Sequence, residues 1–75
     1  MGYRVVFEYE TESSAMSDVY NCADQQAALQ MFNDLRQQLM LAIDPTQCEV
    51  VDEPDLYGMT NRQVGCYGFV RIDHD

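Results

Sequence analysis

The chain opens on an alternation. In "YRVVFEYET", residues 3 to 11, Tyr3, Val5, Phe7 and Tyr9 fall on one side. Arg4, Glu8 and Glu10 fall on the other, where Val6 is the one apolar residue. A period of two, rich in aromatic and β-branched residues, predicts a half-buried strand. "ESSAMSD" supplies turn residues. "MSDVYNC" reads as a second, shorter strand with Val19 and Tyr20 as its strong apolar positions, which predicts a hairpin with the first.

The period then changes. Residues 24 to 43, "DQQAALQMFNDLRQQLMLAI", space Ala28, Phe32, Leu35, Leu39 and Ala42 alternately by four and three, with Met31 and Ile43 flanking. That is the stripe of one helix facing a sheet. Asp24 is a good N-cap and suits the positive end of the helix dipole. Asp44-Pro45 ends the helix, because a residue before proline avoids the helical region. Met40 and Leu41 lie off the stripe. They are surplus apolar surface, or they widen the buried face near the helix end.

"TQCEVVD" predicts a third strand. "EPDLYGMTNRQ" reads as a long irregular loop, punctuated by Pro54, Gly58 and Asn61. "VGCYGFVRID" predicts a fourth strand, with Val64, Cys66, Val70 and Ile72 on one face and Tyr67, Phe69 and Arg71 on the other. A strand apolar on both sides is either central with both faces covered, or it offers its aromatics to a partner chain. The expected fold is a single α+β domain of 75 residues in the order ββαββ, a small antiparallel sheet with one helix across one face. A domain of this size has a thin stability margin, and self-association is one way to widen it.

Charge narrows the partners. Thirteen Asp and Glu face four Arg and no Lys, for a net charge of −9. Such a surface repels nucleic acid and anionic membranes and attracts basic surfaces. Direct nucleic-acid binding, which needs cations on phosphates, is not expected. A halophilic adaptation produces a similar balance. The apolar share of 47% supports a real core, so the chain is not a disordered acidic tail. No apolar run approaches the ~20 residues of a membrane span. "MGYRVVF" lacks the features of a secretory leader, so a cytoplasmic location is expected.

Candidate chemistry is sparse. Cys22, Cys48 and Cys66 are separated by 26 and 18 residues, which is no metal-ligand spacing, and free buried thiols are expected; the odd count leaves open one disulfide, or an intermolecular one, in an oxidising environment. His74 is the penultimate residue, in a tail expected to fray. Ser13, Ser14 and Ser17 carry no nucleophile motif, the glycines form no phosphate loop, and "DEPDLYG" misses the calcium-loop spacing. No enzyme, cofactor or metal is expected.

The acids themselves are the informative feature. A strand repeat would set Glu8, Glu10 and Glu12 in a row about 6.6–6.8 Å apart. Asp44, Glu49, Asp52, Glu53 and Asp55 follow with no basic residue among them. One reading is a solvated face that supports solubility. The other is a nucleic-acid decoy, whose carboxylates stand in for a phosphate backbone in a channel lined with Lys and Arg. Tyr57, beside Leu56 in the acidic loop, is either an interface anchor or a loop tip folded onto the core. Tyr67 and Phe69, with Met40 and Leu41, are candidates for a self-association surface and hence a homodimer.

With its size, its charge and the carboxylate-bearing segments "FEYETE" and "CEVVDEPD", the chain resembles the phage-encoded anti-CRISPR proteins. The resemblance is one of general profile across the whole chain, since that class has no common motif. It implies a non-enzymatic inhibitor that occupies the basic nucleic-acid-binding surface of a CRISPR–Cas complex. The acids expected to carry the contact are Glu8, Glu10, Glu12, Glu49, Asp52, Glu53 and Asp55, with Tyr57 as anchor.

Overall fold

The computed structural model describes residues 2–74. Its elements are β1 (Tyr3–Glu10), β2 (Ala15–Cys22), α1 (Gln25–Ala42), a short 3-10 turn (Pro45–Gln47), β3 (Glu49–Glu53), β4 (Leu56–Asn61) and β5 (Cys66–His74). The five strands form one sheet in the order β2-β1-β5-β4-β3, antiparallel at every pairing. The fold is α+β, as the alternation and the helical stripe predict. It has one strand more than expected, in the order ββαβββ.

The additional strand is β4. The segment read as an irregular loop pairs with β3 on one side and β5 on the other. Its turn signals sit where the chain does turn: Pro54 lies between β3 and β4, and Asn61 is the last residue of β4. Gly58 is inside the strand. Val64 falls in the turn before β5 and is exposed, so that strand begins at Cys66. Gly65 takes a left-handed φ of 72° in this turn, a conformation glycine adopts without a Cβ penalty.

The first hairpin turns where the segment read as a turn begins, but the turn is shorter than expected: β2 starts at Ala15 and, at eight residues, is as long as β1. The Thr11 N–H donates to the Ser14 carbonyl at 2.7 Å, and the Ser14 N–H donates to Thr11 Oγ1 at 3.1 Å. Glu12 and Ser13 are therefore the turn. His74 is no frayed residue: it ends β5 opposite Tyr3, whose ring it meets edge-on with centroids 4.8 Å apart.

The helix lies across one face of the sheet. Asp24 Oδ1 accepts from the Ala27 N–H at 2.8 Å, which caps its first turn. Ala28, Phe32, Leu35 and Leu39 are buried against Val5 and Phe7 of β1, Tyr57 and Met59 of β4, and Val70 and Ile72 of β5. Ala42, expected in the stripe, is exposed; Ile43, the C-cap, turns inward in its place. Gly68 is required by packing, because Leu39 of the helix occupies the space that a Cβ there would need. Burial of such side chains contributes about 1.5–3 kcal/mol each. No helix among the described residues is long and apolar enough to cross a membrane.

Candidate interaction surface

The helix covers one face of the sheet and leaves the other open. Cross-strand register shows which side chains share that open face, since directly opposed residues point the same way. One row runs Ala15, Glu10, Tyr67, Thr60, Glu49 across the five strands. The next runs Ser17, Glu8, Phe69, Gly58, Val51. A third runs Val19, Val6, Arg71, Leu56, Glu53. Arg4 and Asp73 lie opposite each other beyond it.

The face therefore has an apolar middle and acidic flanks. Phe69, Leu56 and the Tyr67 ring form the middle on β5 and β4, beside Thr60 and Arg71, and Val6 and Val51 extend it onto the flanking strands. Gly58, lacking a side chain, floors a shallow cleft between Val51, Leu56, Tyr67 and Phe69, with Glu49 at its side. Glu8 and Glu10 stand on β1; Glu49 and Glu53 stand on β3. The two pairs are separated by three strand spacings, about 14 Å. Five carboxylates share the face with two guanidiniums. Arg71 is engaged locally: its Nε contacts both Asp73 oxygens at 3.2 Å, and its guanidinium sits 5.5 Å from the Phe69 ring centroid.

Glu8 is held in place. One of its oxygens accepts from the Tyr67 hydroxyl at 3.0 Å and the other from Ser17 Oγ at 3.4 Å. The Tyr67 phenol is in turn pushed up from its ordinary pKa by that hydrogen bond, then by burial and by the charges of Glu8 and Glu10. Glu49 meets Arg62 at 3.7 Å, both groups well exposed, a pairing that contributes little.

The remaining predicted residues lie elsewhere. Glu12 is in the β1–β2 turn and Asp55 in the β3–β4 turn, outside the strand rows. Asp52 points to the helix side, opposite Tyr57, and meets Arg36 at 3.9 Å. Tyr57 is no surface anchor. It is 3% exposed in the core, beneath the Arg36 guanidinium 5.7 Å from its ring centroid. Burial and then Asp52 push its phenol up, while Arg36 pulls it down. Met40 and Leu41 are exposed on the helix layer, and Tyr67 and Phe69 are on the opposite face of the sheet. These four cannot form one patch.

Sequence reasoning placed Val6 on the polar face and Leu56 beside Tyr57, but it did not single out Val51 and Gly58 as surface residues or join the four. Only the register of β4 between β3 and β5 brings them together, and that strand was hidden by its turn-forming residues. The thiols of Cys22, Cys48 and Cys66 are free and half-buried. Burial, Asp44 and Cys66 push the Cys48 thiol up, which disfavours the reactive thiolate. Among the described residues, no three His, Cys, Asp or Glu side chains converge to hold a metal ion.

No family model, curated protein or solved structure matches the chain.

Proposed function

We propose that this chain is a non-enzymatic inhibitor that lays the open face of its sheet on the basic, nucleic-acid-binding surface of a CRISPR–Cas complex in the bacterial cytoplasm. The observation that carries the reading is the placement of Glu8 and Glu10 on β1 and Glu49 and Glu53 on β3, on one face of a chain with net charge −9 and no Lys. The two strands that carry the acids are about 14 Å apart, of the same order as the ~12 Å width of the DNA major groove. Two lines of carboxylates on one face thus stand in for the two phosphate lines of a duplex. The apolar middle adds what DNA does not offer. An apolar centre with a polar rim is the anatomy of a protein–protein interface, so the decoy gains contact area as well as charge.

The test is an interference assay in bacteria with an active CRISPR–Cas system, challenged with a targeted phage. Expression of the parent is expected to restore plaques. A variant carrying Glu10→Lys, Glu49→Lys and Glu53→Lys, folded by circular dichroism, is expected to lose that effect. Inhibition unchanged in the folded variant, or no inhibition by the parent across the CRISPR–Cas types assayed, overturns the reading.

A further inference from the structure

The two edges of the sheet are built differently. β3 is five residues long, carries Glu49, Asp52 and Glu53, and is followed at once by Pro54. Short length, charge and proline are the usual protections of an edge against pairing. β2 has little of this protection. It is eight residues long, contains one charged residue, Asp18, and pairs with β1 residue for residue with no bulge. Met16 and Val19 are exposed along it.

The hydrogen-bond phase shows what this edge offers. The Thr11–Ser14 bond marks a hydrogen-bonded pair, and such pairs alternate along an antiparallel ladder. Met16, Asp18, Tyr20 and Cys22 therefore turn their main-chain groups to β1. Ser17, Val19 and Asn21 turn theirs outward. The bond from the Ile72 N–H to the Asp55 carbonyl, 2.9 Å, fits the same phase at the far side of the sheet.

We propose that β2 is a homodimer interface, in which a second copy pairs antiparallel with β2 about a two-fold axis at Val19. This goes beyond the inhibitor reading and stands without it. A two-fold at Asp18 would set two like charges opposite each other, which is unfavourable. A two-fold at Val19 avoids this and lets outward main-chain groups meet. Val19 faces Val19 of the second copy, Ser17 faces Asn21, Asp18 faces Tyr20, and Met16 faces Cys22. Each contact is repeated by symmetry, as an isologous interface requires. On the open face, Val6 and Val19 of each copy join into one apolar row across the interface.

The charges near the seam are few and offset. The two Asp18 are diagonal neighbours about 7–8 Å apart, not directly opposed, and each faces Tyr20 of the other copy. Glu8 and Glu10 stand on β1, so their strands in the two copies are three strand spacings apart, about 14 Å, and the acids of β3 lie four spacings from β2, about 19 Å, both beyond the ~8 Å screening length at physiological salt. The dimer is a continuous ten-stranded sheet with β3 at its two outer ends.

The test is sedimentation equilibrium of the full chain in reducing buffer over a wide concentration range, for the parent, Val19→Lys and Val19→Pro. The parent is expected to dimerise. Both variants are expected to be monomers with unchanged circular dichroism, because Val19 directs its N–H away from β1 and neither change removes an internal bond. A Val19→Cys variant supplies a positive readout: directly opposed, hydrogen-bonded residues have Cα atoms about 5.5 Å apart, within disulfide reach. Mild oxidation is expected to join the two position-19 thiols, identified by peptide mapping, and Val51→Cys on the other edge is expected to give no such link. A parent that stays monomeric at every concentration, or a dimer that survives Val19→Lys, overturns the proposal.

Discussion

The Tyr67 hydroxyl donates to Glu8 Oε2 at 3.0 Å, joining β5 to β1 on the open face across 59 residues of sequence. Glu8 Oε1 accepts from Ser17 of β2 at 3.4 Å, so one carboxylate bridges three neighbouring strands. The most central acid of the candidate surface is thus also a fastening of the sheet. Its reversal tests fold and binding together, which is why Glu10, Glu49 and Glu53 are the cleaner probes.

The Tyr67–Glu8 bond predicts a pH-dependent difference between the parent and Tyr67→Phe. A free tyrosine titrates near about 10, and in the folded protein Tyr67 lies above that value. A group whose pKa is raised on folding contributes stability fully below its unfolded pKa and loses it as pH rises through the folded one. The urea midpoint of the parent is therefore expected to exceed that of Tyr67→Phe by a constant amount at neutral and mildly alkaline pH. The gap is expected to shrink above about pH 10. A gap that does not narrow there contradicts the assignment.

Leu39 and Gly68 share one volume, and the prediction is a coupling between them. Gly68→Ala places a methyl group where Leu39 packs and is expected to cost about 1–3 kcal/mol. Leu39→Ala empties the same region and is expected to cost about 2–5 kcal/mol. The double variant is expected to cost less than the two together, since the new methyl partly fills the cavity. Denaturant melts of the four proteins measure the cycle. Additive losses would mean that the two residues do not compete for space.

The N-cap gives a smaller and more local effect. Asp24→Ala removes the bond to the Ala27 N–H and is expected to lower stability by about 0.5–2 kcal/mol, with Asp24→Asn retaining most of it. Equal losses in both variants would assign the effect to charge at the helix dipole instead.

What could be read from the sequence depended on whether a residue's local pattern agreed with its role. Tyr3 to Tyr9 alternate cleanly because β1 has one buried face, and Phe32, Leu35 and Leu39 repeat at helical spacing because α1 has one. β4 broke the pattern for two reasons. Gly58 leaves a gap in the open face where a side chain would have marked a strand, and Pro54 and Asn61, which bound the strand, read as part of one continuous loop. Read as part of a loop, Tyr57 is left between an interface anchor and a tip folded onto the core, although its two-residue spacing from Met59 is the core period of a strand. The surface acids were legible as a composition and not as a site. No local pattern says that Glu10 and Glu49, which are 39 positions apart, end on one row of one face. That follows from β5 inserting between β1 and β4.

The register also separates the acids into those that can act together and those that cannot, and this yields the sharpest prediction for the proposed function. Glu10, Glu49 and Glu53 project from the open face, while Glu12 and Asp55 lie in turns and Asp52 faces Arg36 on the helix side. Two triple variants carry the same change in net charge: Glu10→Lys, Glu49→Lys, Glu53→Lys on the face, and Glu12→Lys, Asp52→Lys, Asp55→Lys off it. If inhibition came from overall acidity, the two would weaken binding equally. If it comes from a decoy face, the first is expected to slow association with the target by about 10–10³-fold at low salt, and the second much less. Surface plasmon resonance against a purified interference complex, repeated across a salt series, separates the cases. The advantage of the parent over the face variant is also expected to narrow as salt rises, because steering by exposed charges is screened while the contacts of Phe69, Leu56 and Val51 are not.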